Sequence, residues 1–150
     1  MFLKISGKPI QLTCTEPAFP EFPTLLFGNK TDNGNSFFDA TAYIQNKHLT
    51  TTVLDFFQKY EEPVKALINS YGMEENQVCV LNQDGHYLID GNLTYLFISF
   101  VEPDFLAYMC DRIHDLFTTG FCVSDTYIAQ TVKSRLTKDV LETILENEQA

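Results

Sequence analysis

Tryptophan is absent from this chain, and cations are scarce: ten lysines and arginines face twenty aspartates and glutamates, for a formal charge of −10. The missing tryptophan leaves the aromatic content to thirteen phenylalanines and seven tyrosines, which read as a phenylalanine-rich core. The missing cations argue against a broad basic footprint, the feature that neutralises a phosphate backbone by displacing counterions. Long apolar runs are lacking too. The longest candidate, residues 93–101, falls far short of the ~18 residues that cross a bilayer. The opening Met1-Phe2-Leu3-Lys4-Ile5-Ser6-Gly7 has no basic stretch leading into a long apolar one, so no secretory signal is expected. Four cysteines (Cys14, Cys79, Cys110 and Cys122) are too sparse for a disulfide scaffold and are expected as free thiols in a reducing cytoplasm.

Catalytic signatures are equally missing. There is no nucleophile elbow, no HExxH and no glycine loop to cradle phosphate. The histidines His48, His86 and His114 sit in unrelated contexts. Cys110 and His114 are four residues apart and Cys122 follows, but zinc needs about four ligands, and neither a fourth ligand nor a CxxC pair is evident. The expectation is a protein that is not an enzyme and holds no metal or cofactor.

With 150 residues, 45% of them hydrophobic, the chain is sized for one globular unit with a real core. Its acidity is uneven. Residues 1–72 carry six lysines against seven carboxylates, whereas residues 73–150 carry four cations against thirteen. The first half is near neutral and the second is at −9.

Local signals divide the chain finely. Residues 3–5 and 10–13 predict an N-terminal hairpin turned through Ser6-Gly7-Lys8-Pro9. Pro17, Pro20 and Pro23 then favour extended backbone around Phe19 and Phe22, as a groove-packed strap, a linker or a polyproline-type ligand. The strap is adopted, because the two phenylalanines need burial. Residues 25–27 and Phe37-Phe38 flank a second hairpin whose turn signal is the Asn- and Gly-rich stretch 28–35. Asp39 is placed to cap a helix over 40–46, and a threonine at 50–52 to cap one over 53–60. Pro63 starts a third helix, which Gly72 closes. Residues 78–81 and 86–89 flank a four-residue loop ending at Gly85, as in a hairpin. Asp90 caps a buried helix over 93–100. Pro103 opens an amphipathic helix that stops near Gly120, and Ser124 and Thr137 cap two more. Short hairpins followed mostly by helices predict an α+β fold.

The order of two signatures resembles the KilA-N domain, a DNA-binding module of phages and large DNA viruses. Phe38-Asp39-Ala40-Thr41 matches the family's hydrophobic-Asn-Ala-Thr helix start, with aspartate for asparagine. Gly85-His86-Tyr87-Leu88 matches its Gly-Thr-Trp-Val-like strand, and residues 93–105, ending in Glu102-Pro103-Asp104-Phe105, look like its helix-pair junction. Tyr87 and Phe100 stand where the family has tryptophans. The resemblance divides the chain into an N-terminal hairpin and proline-rich strap (1–24), a KilA-N-like domain (25–120) and C-terminal helices packed on it (121–150).

What the resemblance implies is a small phage or viral regulatory protein that binds DNA. The contact candidates are Lys47, His48, Lys59 and Lys65, with hydroxyls at Thr50, Thr51 and Thr52, offset by Asp55, Glu61 and Glu62. Lys133, Arg135 and Lys138 form a second basic group, read as complementing helix ends. The alternative is an acidic protein-binding module, a DNA-mimic-like inhibitor of a host or viral nucleic-acid-binding protein. Asp104, Asp111 and Asp115 on one helix and Glu142 and Glu146 on the last would meet a basic partner. No membrane partner is expected. The faces of the last two helices are the place to look for homo-oligomer contacts.

Overall fold

The computed structural model describes residues 36–148 throughout, together with Phe19 and the strand segments Leu3–Lys4, Leu12–Cys14 and Leu25–Lys30. These segments are β1, β2 and β3. They are followed by β4 (Ser36–Asp39), α1 (Ala40–Asn46), α2 (Val53–Lys59), α3 (Glu61–Tyr71), β5 (Cys79–Leu81), β6 (Tyr87–Asp90), α4 (Thr94–Val101), α5 (Pro103–Thr119), α6 (Asp125–Arg135) and α7 (Lys138–Glu148). The class is α+β. One sheet, ordered β1-β5-β6-β4-β3-β2, is antiparallel except where β1 meets β5.

The centre of the sheet is β4-β6-β5, with Phe38 opposite Ile89 and Ile89 opposite Cys79. Side chains alternate across a strand. Phe38, Cys79 and Ile89 therefore enter the main core with the helices, while Phe37, Val80 and Leu88 form a separate buried cluster. Burial on both faces explains why these strands are short apolar runs rather than apolar-polar alternations.

An aromatic stack joins sheet to helices. Phe97 of α4 is fully buried against Phe38, Tyr43 and Phe56, with ring centroids 5.9, 6.5 and 5.3 Å away. Phe100 extends the stack to Phe56 and Tyr60. Phenylalanine and tyrosine fill the core without any tryptophan.

Most helix starts follow the sequence signals. Asp39 accepts from the Ala42 amide at 2.8 Å. Thr52 and Asp55 form a reciprocal capping box, and Ser124 accepts from the Tyr127 amide. Pro103 opens α5, and Gly72 and Gly120 end α3 and α5 in the left-handed conformation.

Three differences have physical causes. The hairpin expected between residues 3–5 and 10–13 is not the pairing observed: β1 runs parallel to β5 at one edge and β2 pairs with β3 at the other. Strands of two or three residues gain little from an isolated hairpin and more from extending a sheet. Helix α3 begins at Glu61, two residues before Pro63, because Tyr60 ends α2 and starts α3 with a single residue. Asp90 caps a 3₁₀ turn over Gly91–Leu93, and the α-helix follows only from Thr94.

The proline-rich strap lies outside the described residues except Phe19, which is half-buried and meets Tyr108 edge-on at 6.1 Å. At the other end, α6 and α7 contain no buried residue. Ser124, at their entrance, is fully buried. Among the described residues no single helix is long and apolar enough to cross a membrane, and the one helix pair that passes on composition is bent by 117°.

Candidate functional site

The two sequence signatures meet in space. The Asp39 carboxylate caps α1 with one oxygen and lies 2.9 Å from His86 Nδ1 with the other. The Tyr87 amide donates to Thr41 Oγ1 at 2.9 Å. Asn82 prepares the turn that delivers His86, its side-chain oxygen accepting from the amides of Asp84 and His86. Asp39 is buried and His86 mostly so. The dyad has a clear structural role, because it latches the start of α1 to the β5–β6 hairpin. A groove of about 340 Å³ lies alongside, with Thr41, Ile44, Val53 and Tyr87 among its walls.

The four residues expected to contact nucleic acid are differently occupied. Lys47 Nζ is 2.8 Å from Glu102 Oε1 and 5.5 Å from the centre of the Tyr43 ring. The Tyr43 hydroxyl donates to the other Glu102 oxygen. Burial, then the Glu102 hydrogen bond and the Glu102 charge, push the Tyr43 phenol above its ordinary pKa. Glu102 thus ties α1 to the junction of α4 and α5. Lys65 is held by Glu61 at 2.6 Å, with Glu62 at 3.8 Å. Lys59 is exposed and sits 5.9 Å from the Phe100 ring centre.

His48 is exposed with φ of 53°. It occupies the left-handed position that ends α1, where the Leu49 amide reaches back to the Ile44 carbonyl and the His48 amide to Gln45. Glycine is the usual residue there. The set therefore forms no common cationic surface: two of its lysines already serve carboxylates of the fold.

Of the five carboxylates expected to meet a basic partner, Asp111, Asp115 and Glu142 are also ion-paired, and Asp104 and Glu146 enter no such pair among the described residues. Asp104 lies in the first turn of α5, exposed, beside a groove of about 420 Å³ shared with Leu49, Phe105 and Tyr108. Asp111 and Asp115 both reach Arg112, at 2.5 and 3.0 Å, and Arg112 also lies over the Tyr108 ring. Glu142 pairs with Lys138 at 3.5 Å, and Glu146 is exposed with no cation within 4 Å among the described residues. Residues 36–148 hold 17 carboxylates against 7 lysines and arginines, so this part of the chain carries the entire charge of −10.

Among the described residues, no group of three or more histidines, cysteines and carboxylates is arranged to hold a metal ion. Cys110 is exposed and Cys122 half-buried. Cys79 is buried, and that burial pushes its thiol up to about 12.

Comparison with protein-family models, curated proteins and solved structures returns no match for this chain.

Sequence reasoning missed the Tyr43–Glu102–Lys47 cluster, because Glu102 lies more than 50 residues from the other two and no local signal links them. On α5, expected as an amphipathic helix, only Phe105 is buried, while Phe117 is 84% exposed.

Proposed function

We propose that this chain is a non-catalytic regulatory module on a KilA-N-like scaffold, which acts by binding a basic protein through carboxylates of α5 and α7. The observation that carries this reading is the charge distribution. Carboxylates outnumber cations 17 to 7 in residues 36–148, and two of the three lysines on the DNA-contact candidate segment are already paired within the fold. A DNA-binding surface needs cations free to replace counterions. An acidic surface of this kind favours fast, salt-sensitive association with a protein that itself grips nucleic acid. The order of Asp39-Ala40-Thr41, Gly85-His86-Tyr87 and Pro103-Asp104-Phe105 supports the scaffold reading and, with it, a viral or phage regulatory setting.

The test uses a Lys/Arg-rich helical peptide of about 20 residues and a 20-base-pair duplex, each titrated at about 50 mM salt, where electrostatic binding is strongest. The peptide is expected to bind, to weaken as salt rises to about 300 mM, and to lose at least ~10-fold in affinity when Asp104, Asp111 and Asp115 are changed together to Asn. An equal charge removal at Glu74, Glu75 and Asp84 serves as control and is expected to cost much less. Binding of the duplex, weakened by Lys59→Ala, would overturn the proposal. So would a triple variant no weaker than its control.

A further inference from the structure

Resting on the basic-partner reading above, we propose that the groove at the junction of α4 and α5 takes an arginine side chain of that protein. Its volume of about 420 Å³ falls at the small end of ligand cavities (~300–1,000 Å³). Leu49, Val101 and Phe105 give it apolar walls, and Glu102 and Asp104 supply carboxylates. Tyr108 lines it too and is held in place by its neighbours. Arg112 lies 5.3 Å from the Tyr108 ring centre, and Phe19 meets that ring edge-on at 6.1 Å. A wall fixed in this way costs little ordering when a side chain enters.

The charges around this groove call for a cation. Asp104 is exposed and forms no ion pair or side-chain hydrogen bond among the described residues. Glu102 is already shared between Lys47 and the Tyr43 hydroxyl. Each of its oxygens keeps a second lone pair, and its side chain is 23% exposed, so it can accept again. Glu102 and Asp104 at −1 each and Lys47 at +1 leave the site at −1. Two other grooves differ. The one beside Asp39 and His86 has no charged residue among its described walls, and one of about 460 Å³ between α3 and β5 already carries Lys65 beside Glu61 and Glu75.

Arginine suits these walls better than lysine. Its methylene stem can lie along Leu49 and Phe105. Its guanidinium is flat and weakly hydrated, and its five donors are enough to bridge two carboxylates. A lysine ammonium is compact and gives up its water less readily. An arginine seated in a walled site is also the kind of contact that dominates protein interfaces. Asp111 and Asp115, which share Arg112, would add mainly to attraction at a distance.

The test compares two helical peptides of about 20 residues and equal charge at about 50 mM salt, one with arginine as its only cation and one with lysine. The full chain is expected to bind the arginine peptide at least ~5-fold more tightly. That preference should disappear in Asp104→Asn, which keeps its circular dichroism because Asp104 is exposed. It should disappear also in Leu49→Gln, which alters a wall without altering charge. In Asp111→Asn/Asp115→Asn both peptides should weaken together and the preference persist. Nuclear Overhauser contacts between labelled arginine methylenes and the Leu49 methyl groups add a local readout, and their absence overturns the assignment. Equal affinity for the two peptides, or a preference that survives Asp104→Asn, overturns it as well and leaves the basic-partner reading standing. If neither peptide binds, that reading falls and the arginine site falls with it.

Discussion

Replacing Phe97 with alanine tests whether the aromatic stack is the mechanical centre of this fold. Phe97 is 0% exposed and touches three rings that belong to β4, α1 and α2. Removing a buried phenyl ring loses its transfer free energy and leaves a cavity, for a typical cost of ~3–5 kcal/mol. The surroundings here are poorly able to collapse, since Phe38, Tyr43 and Phe56 are each anchored on a different element. The upper part of that range is therefore expected. Against a total stability of about 5–15 kcal/mol for a domain, the variant is left marginal. At an m-value of ~2 kcal/mol/M, the urea midpoint should fall by about 2 M. Tyr71→Ala provides the contrast, because this aromatic at the end of α3 is 57% exposed, and surface changes stay within about 0.5 kcal/mol. A Phe97→Ala cost below about 1.5 kcal/mol, or one equal to that of Tyr71→Ala, would refute the assignment of the core to this stack.

Three other outcomes follow from particular residues. Asp39→Ala should cost about 1–2 kcal/mol or more by urea denaturation, since it removes both the α1 cap and the partner of His86, whereas Asp39→Asn, which can still cap, should cost less. His48→Gly should raise stability by up to ~1 kcal/mol, because histidine at φ 53° carries a strain that glycine lacks; an unchanged urea midpoint would show that the position is relaxed. Cys79 and Tyr43 are held neutral by burial, so their folded pKa values exceed the unfolded ones. Their stabilising contribution is complete below about pH 9 and is lost as pH rises, for Cys79 between 9.0 and about 12. Each group contributes a slope of up to ~1.4 kcal/mol per pH unit, and Cys79→Ala should flatten the fall measured between pH 9 and 11 even though it lowers stability at pH 7.

Helix boundaries were legible because their causes are local. Asp39, Thr52, Ser124, Pro103, Gly72 and Gly120 act within three or four residues of themselves, and each does in the structure what its type requires. The β5–β6 hairpin was legible for the same reason, from Asn82 and Gly85. The destination of β1 was not, because its partner, β5, is more than 70 residues away and nothing near Leu3 specifies it. The candidate cations illustrate a second limit. Lys47 and Lys65 look alike in sequence, yet Lys65 is paired by its own helix at i−4, which periodicity predicts, and Lys47 by Glu102, which periodicity cannot reach. Exposure of Ile113 and Phe117 on α5 was hidden by a third. An amphipathic pattern says that a face wants cover and is silent on whether the cover comes from the same chain.

The latch between Asp39 and His86 also sets a timetable for synthesis. Its halves are separated by 47 residues, which a ribosome takes about 2–10 seconds to add at ~5–20 residues per second. Throughout that interval α1 can wind, since its cap is its own neighbour, but β4 has no β6 beside it. Phe37 and Phe38 then stand on a strand with one side unpaired, the kind of nascent edge that chaperones hold and that other chains capture. Arrival of the β5–β6 hairpin ends the exposure, so the vulnerable period of this protein is fixed by the length of chain between its two signatures.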